Sequence, residues 1–117
     1  MPNSDNLIHK KCVPCEGGVD PLKGERLSFY MPAVPEWTVI GEIKIQKEFS
    51  FINFKLALSF VESVGELAEL EGHHPDINLH DWNKVTITLS THAIKGLSEN
   101  DFIMAVKINQ LFDNLNR

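Results

Sequence analysis

The segment ELEGHHPDINLHDWNKVTITLSTH, residues 69–92, restricts the fold more than any other part of the chain. Apolar and hydroxylated residues alternate across residues 85–90, which predicts a strand with one face on a core. A shorter strand is predicted at residues 77–82, and Asn83–Lys84 is the candidate tight turn between the two. The segment therefore predicts a folded-back hairpin. Its core-facing residues would be Val85, Ile87 and Leu89.

Two amphipathic helices are predicted on either side of this hairpin. In the first, apolar residues recur at spacings of three and four across residues 54–68, with Ser50 as the N-cap. Gly72 lies where that helix would end. The last helix is predicted to begin at Ser98, with Asp101 as its capping partner at the third helical position.

Two further strands are predicted within residues 36–49, around a turn at Gly41–Glu42. The order is then strand, strand, helix, strand, strand, helix. It predicts an α+β fold, a two-layer sandwich with a four-stranded antiparallel sheet and helices packed on one face. Residues 31–117 would form this domain. Residues 1–30 are rich in turn formers and are expected to be a partly irregular N-terminal extension.

Length, charge and hydropathy narrow the possible classes of protein. The chain has 117 residues, of which 43% are hydrophobic, enough for one domain with a core. Its net charge is −5, which argues against a nucleic-acid surface. No apolar run approaches the length of a membrane span, so no membrane partner is expected. The start has no apolar signal core, and a cytoplasmic location is expected.

Cys12 and Cys15 are separated by two residues in the N-terminal extension. Half of a zinc site and a redox pair are two interpretations of this spacing. A structural zinc site needs four ligands, and the sequence has no second close cysteine pair. Two reduced cysteines beside a turn are therefore the favoured interpretation.

Three histidines, His73, His74 and His92, lie at the two ends of the predicted hairpin. Histidine has the unperturbed pKa nearest neutral pH, so the group indicates proton transfer or metal binding. Adjacent residues point in different directions in most backbones and rarely share one metal ion, and no H-E-x-x-H pair is present. Proton transfer is therefore favoured, with no metal site. His9 and His80 are interpreted as surface or satisfied histidines.

Seven spaced residues in and after this segment form a recognisable pattern. They are Glu69, His73, His74, Pro75, Trp82, His92 and Asp101. In this pattern and its spacing the chain resembles the pterin-4a-carbinolamine dehydratase family, from about residue 35 to the C-terminus. One departure is Gly72, a position that is often acidic in the family, for which Glu71 is the candidate substitute.

The resemblance implies an enzyme. The reaction would be dehydration of 4a-hydroxytetrahydrobiopterin to quinonoid dihydrobiopterin and water, in tetrahydrobiopterin recycling, without a cofactor. His73 and His92 would be the acid–base pair, in an order that stays open. Glu69 would be the third catalytic residue, orienting a histidine or accepting a substrate N–H. The implied substrate-binding residues are His74, Trp37, Pro75 and Thr91. For Trp37, an ordinary half-buried aromatic is the equal alternative.

The resemblance also implies partners. They are a pterin substrate, further copies of the chain in a homodimer or homotetramer, and an aromatic amino-acid hydroxylase coupled to it. Leu56, Phe60 and Leu67 widen the apolar face of the first long helix and are candidates for a subunit contact. The alternative function is a non-catalytic module that acts as a dimerisation cofactor of a partner protein. The intact histidines favour the enzyme.

Overall fold

The computed structural model describes residues 3–14 and 17–115. Four strands form a single antiparallel sheet in the order β1–β2–β4–β3, which confirms the predicted α+β fold. The elements are α1 (Ser4–Ile8), α2 (Gly24–Tyr30), β1 (Thr38–Ile40), β2 (Lys44–Ser50), α3 (Phe54–Glu71), β3 (Asp76–His80), β4 (Lys84–Leu89) and α4 (Glu99–Leu115), with 3-10 turns at Met31–Ala33 and His92–Ile94. None of the described helices has the length and apolarity to cross a membrane.

The core lies on one face of the sheet. Val85, Ile87 and Leu89 of β4 are completely buried, as their alternation predicts. Ile45 and Phe49 of β2 stand opposite Leu89 and Val85 and continue the same apolar surface. The long helices α3 and α4 cover this surface.

Phe60 is part of that core and is not available for a subunit contact. Its ring is fully buried, with ring centroids 4.8 Å from Phe49 and 5.1 Å from Phe51. Full burial of such a side chain contributes about 1.5–3 kcal/mol. The periodicity of α3 placed Phe60 on the apolar face correctly, but the sheet already covers that part of the face.

Helix α3 begins three residues later than predicted. Ser50 is the last residue of β2 and pairs with Lys84 of β4, so it cannot cap a helix. The N-cap is Asn53, whose side-chain oxygen accepts a hydrogen bond from the N–H of Leu56 at 2.8 Å. Serine and asparagine are both good N-caps, and the extent of strand pairing decides between them.

The hairpin turn also lies earlier than predicted. Asp81 and Trp82 occupy it with φ of 48° and 56°, and Trp82 is 62% exposed at the tip. Asn83 is the last residue of the turn, and Lys84 already belongs to β4. It is held by Phe51, which donates its N–H to the Asn83 carbonyl at 2.9 Å and accepts from the Asn83 side chain at 2.8 Å.

The N-terminal segment is more regular than expected. It contains α1, which packs against α4 and buries Leu7 completely. Cys12, Leu22 and Leu27 are buried in the same core as the sheet residues. The division of the chain at residue 30 stays a prediction from the sequence.

Candidate active site

The three predicted histidines converge on one cavity at an edge of the fold. The cavity measures about 220 Å³ and lies between the end of α3, the end of β4 and the start of α4. Its lining residues are Val13, Gly72, His73, His74, Ser90, Thr91, His92, Ala93 and Asn100.

Gly72 ends α3 and places the two adjacent histidines. Its φ of 68° and ψ of 28° are left-handed, and its N–H donates to the Ala68 carbonyl at 2.9 Å. Glycine adopts this conformation without the steric cost that a Cβ brings. The chain therefore turns out of the helix at the predicted residue, and His73 and His74 follow at once.

His73 is bound to a buried carboxylate. Its Nε2 lies 2.7 Å from Oδ1 of Asp101, whose side chain is 0% exposed. A carboxylate only accepts hydrogen bonds, so Nε2 of the neutral ring carries the proton and donates it. Within residues 3–14 and 17–115 no other group hydrogen-bonds to this ring, so Nδ1 remains for proton exchange.

Asp101 is held on its second oxygen as well. Oδ2 accepts hydrogen bonds from the Thr91 hydroxyl at 2.8 Å and from the Ser98 N–H at 3.0 Å. The contact with Ser98 is the capping interaction predicted from the sequence. The contact with His73 was not predicted, because the capping role alone seemed to account for the residue. Its place in the seven-residue pattern was the available signal.

Thr91, a predicted substrate-binding residue, lines the cavity but is only 4% exposed. Its hydroxyl contacts both Asp101 and, at 2.7 Å, the Ser98 hydroxyl. The Thr91 side chain therefore supports the carboxylate that binds His73.

His74 also meets a carboxylate, but in solvent. Its Nε2 makes a short contact with Oε2 of Glu69, and the two side chains are 61% and 77% exposed. An exposed contact of this kind contributes about 0–1 kcal/mol to stability. Glu69, predicted as catalytic, therefore reaches the cavity through His74.

His92 follows β4 in a 3-10 turn and is exposed. Its ring has no hydrogen-bond partner in the part of the chain that the structure describes. His73 is held by a buried group, whereas His92 is free to adjust to a ligand.

Two predicted substrate-binding residues do not reach the cavity. Trp37 is 3% exposed, and its Nε1 donates to the Asn109 side chain at 3.0 Å. Its ring packs edge-on against Phe49, so Trp37 is an aromatic of the core and is more buried than the half-buried aromatic of the alternative interpretation. Pro75 is half-buried between His74 and β3 and is not among the lining residues.

Glu71, the candidate substitute for an acidic residue at position 72, is bound on both carboxylate oxygens. Oε1 accepts from the Cys12 N–H at 2.8 Å, and Oε2 accepts from the Lys107 ammonium at 2.7 Å. Burial opposes its ionisation, but Lys107 and the Cys12 N–H outweigh this and lower the pKa of Glu71. Both Glu71 oxygens are therefore engaged, and Glu71 is not among the residues that line the histidine cavity.

Asn100 joins the N-terminal segment to the site. Its side chain accepts from the Val13 N–H at 3.0 Å and donates to the Val13 carbonyl at 2.6 Å. Both residues line the histidine cavity, so the N-terminal segment forms one wall of it. Sequence analysis gave no signal for this contact, since the two residues are 87 positions apart.

The neighbouring Cys12 is buried, which disfavours ionisation of its thiol. Burial first, and then the negative charge of Glu71, raise the pKa of Cys12 to about 12. Cys15 lies outside the described residues. Among the described residues no three histidine, cysteine or acidic side chains are grouped as a metal ion would require.

A family model described as Pterin 4 alpha carbinolamine dehydratase matches residues 20–111. Among similar sequences, a Rubrobacter xylanophilus protein is 50% identical, covering 90% of this chain and 97% of that protein. One from Alkaliphilus metalliredigens is 49% identical, covering 91% of this chain and 96% of that protein. Both carry the provisional name pterin-4-alpha-carbinolamine dehydratase.

Two solved structures resemble the fold. A transcriptional coactivator/pterin dehydratase from Brucella melitensis has a TM-score of 0.73 and 30% identity, covering 79% of this chain and 98% of that one. A pterin dehydratase-like protein, described as a RuBisCO assembly factor in the alpha-carboxysome, has a TM-score of 0.56 and 26% identity. That alignment covers 65% of this chain and 88% of the assembly factor.

Proposed function

The chain belongs to the pterin 4 alpha carbinolamine dehydratase family, and we propose that it is an active dehydratase. It converts 4a-hydroxytetrahydrobiopterin to quinonoid dihydrobiopterin and water. The observation that carries this proposal is the meeting of His73, His74 and His92 at one cavity, with His73 bound to the buried Asp101.

The reaction requires two proton transfers. The bond between C4a and the hydroxyl oxygen breaks, and the leaving hydroxyl takes a proton to become water. A ring N–H gives up a proton as the C=N bond forms, so no electrons are gained or lost overall. A positioned acid and a positioned base contribute roughly 10²–10⁴-fold each to such a step.

His73 and His92 are the proposed acid–base pair. Asp101 supports His73 by fixing the proton on Nε2 and leaving Nδ1 for the substrate. A buried carboxylate also stabilises the imidazolium that forms when Nδ1 takes a proton. His92 has no such partner among the described residues and lies at the more open side of the cavity. Its ring is therefore available as the second proton carrier.

His74 orients the pterin and is itself oriented by Glu69. Thr91 acts behind the cavity by holding Asp101. We further propose that the protein is a cytoplasmic homo-oligomer. In this role it recycles tetrahydrobiopterin for an aromatic amino-acid hydroxylase.

A second candidate function is binding of a partner protein without catalysis. The Brucella melitensis structure is described as a transcriptional coactivator as well as a dehydratase. This chain has partly exposed apolar side chains near the start of α3, with Phe54 at 47% and Leu58 at 44% exposure. Such a surface suits a protein contact, whereas the ordered histidine site favours the enzyme.

The test is dehydration of freshly generated 4a-hydroxytetrahydropterin, followed by ultraviolet absorbance. We expect the wild type to accelerate the reaction, and His73→Ala and His92→Ala each to lower the rate by about 10²-fold or more. His80→Ala is the matched control. His80 ends β3 and contacts Thr86 of β4 and Asp81 of the hairpin turn, and it does not line the cavity. A wild-type rate equal to the spontaneous rate would contradict the enzyme and favour the binding module.

A further inference from the structure

The histidine cavity is small for a whole substrate. It measures about 220 Å³, whereas sites for small molecules usually span roughly 300–1,000 Å³. A second cavity of about 320 Å³ adjoins it, and Ser90 and His92 line both. We call this second space the extension cavity. Besides those two shared residues it is lined by Lys44, Asp76, Thr88 and Lys95.

The extension cavity carries an excess of positive charge. Two ammonium groups, of Lys44 and Lys95, face one carboxylate, of Asp76. The chain as a whole has a net charge of −5, so the charge at this cavity is opposite in sign to that of the whole chain. Within residues 3–14 and 17–115 neither lysine makes an ion pair, whereas Lys10 and Lys107 each do. Both cations therefore remain available to an anion.

Ser90 joins the backbone segments that carry the two lysines. Its hydroxyl lies 2.8 Å from the Ile43 carbonyl and 3.4 Å from the Gly96 carbonyl, next to Lys44 and Lys95 respectively. One residue at the boundary of the two cavities thus connects both lysine-bearing segments.

The backbone at Lys95 is itself constrained. Its φ is 55°, in the left-handed region that non-glycine residues seldom adopt. The Thr91 N–H donates to the Gly96 carbonyl at 2.7 Å, and this bridge closes the loop and maintains the conformation. A cation on a closed loop loses less freedom on binding than one on an open loop, which favours a ligand site.

We propose that the extension cavity binds an anionic group, a phosphate or a carboxylate, carried on the 6-substituent of the pterin. The proposal rests on the dehydratase function, because the pterin ring must lie at the histidines for its substituent to reach Lys44 and Lys95. The Asp76 carboxylate repels the anion. Neutralising Asp76 should therefore have the opposite effect on binding to neutralising the lysines.

The test compares ligands that differ in one charged group. Quenching of pterin fluorescence gives Kd for neopterin against neopterin 3′-monophosphate, and for 6-hydroxymethylpterin against pterin-6-carboxylate. We expect the anionic member to bind about fivefold more tightly in at least one pair, because it gains charge contacts with two exposed lysines. Tighter binding of the anionic member of the first pair would identify phosphate as the ligand group. Tighter binding of the anionic member of the second pair would identify carboxylate. High salt should reduce the preference.

Variants assign the preference to the cavity. The double variant Lys44→Gln/Lys95→Gln should abolish it, and Asp76→Asn should increase it by about twofold. Lys55→Gln is the matched control, since Lys55 is an exposed lysine of α3 outside the cavity. It should leave the preference unchanged.

Equal Kd values for both members of both pairs, or a preference that persists in the double variant, would overturn the extension site. Wild-type turnover of the neutral 6-methyl substrate, measured in parallel, separates this from the proposed function. If turnover is present without an anion preference, the subsite alone is wrong. If a lysine-dependent preference occurs without turnover, the subsite stands as part of a pterin-binding site and the dehydratase function is wrong.

Discussion

Two neighbouring histidines each contact a carboxylate, but the two pairs differ in burial. In the first, Asp101 is 0% and His73 11% exposed. In the second, Glu69 is 77% and His74 61% exposed. Both pairs have the same chemistry and lie at the same cavity.

The difference shows what burial adds to a contact between a histidine and a carboxylate. Asp101 has further donors on its second oxygen, and removing the partner of such a buried group costs about 1–3 kcal/mol. The Glu69–His74 pair is screened by water and contributes about 0–1 kcal/mol. The buried pair thus determines the geometry of its histidine, while the exposed pair leaves His74 able to follow a ligand.

The largest effect is expected for Asp101→Asn. The amide would donate to His73 Nε2 instead of accepting from it, which moves the ring proton to Nδ1, the wrong nitrogen for a base. We expect the dehydration rate to fall by about 10²-fold or more and the free energy of unfolding by about 1–3 kcal/mol. Rate assays and urea denaturation measure the two effects. A variant with wild-type activity would show that the buried pair is structural only.

Thr91→Val tests the support behind Asp101. It keeps the shape of the side chain and removes one of the three donors to the carboxylate. We expect a loss of about 1–2 kcal/mol in the free energy of unfolding and a decrease of about tenfold in rate. Thr38→Val, at an exposed threonine of β1 that lines neither cavity, is the control. An unchanged rate in Thr91→Val would mean that Ser98 and the fold alone position the carboxylate.

Glu71→Gln tests the buried carboxylate that does not contact a histidine. Its folded pKa lies below the ordinary value of 4.5, so its ionisation stabilises the fold above that pH. We expect the variant to be less stable by about 1–2 kcal/mol at pH 7. The difference should shrink as the pH falls below 4.5 through the folded pKa, because the wild-type carboxylate then also becomes neutral. Denaturation from pH 7 to pH 3 measures it, and a constant difference would contradict the assignment.

The smallest effect is expected for Glu69→Gln. Because the pair with His74 is exposed, stability should change by less than about 1 kcal/mol. The rate should fall by less than about tenfold, through looser orientation of His74. A loss as large as that of Asp101→Asn would break the comparison between the pairs and assign Glu69 a direct role in proton transfer.

Much of the fold followed from local patterns. The alternation around Ile87, the turn at Gly72 and the cap at Ser98 each depend on a few neighbouring residues, and each was predicted. The errors at Ser50 and Lys84 were boundary errors. In both, a good local candidate lost to strand pairing between β2 and β4, which involves residues more than 30 positions apart.

The candidate site was predicted in part. The spacing of the histidines identified His73, His74 and His92 as a group, and the structure brings them to one cavity. Spacing cannot reveal what lies behind a side chain. The contacts of Asp101 with His73, 28 positions away, and of Asn100 with Val13 arise only when α4 packs across the chain.

The sequence by itself determined the strand and helix pattern, the place where α3 stops and the residue types available for proton transfer, because these depend on local geometry and side-chain chemistry. The tertiary structure alone decided which carboxylate is buried and which is exposed. Asp101 and Glu69 have the same functional group. Packing of α4 removes water from Asp101 and supplies its donors, whereas Glu69 remains on the open face of α3.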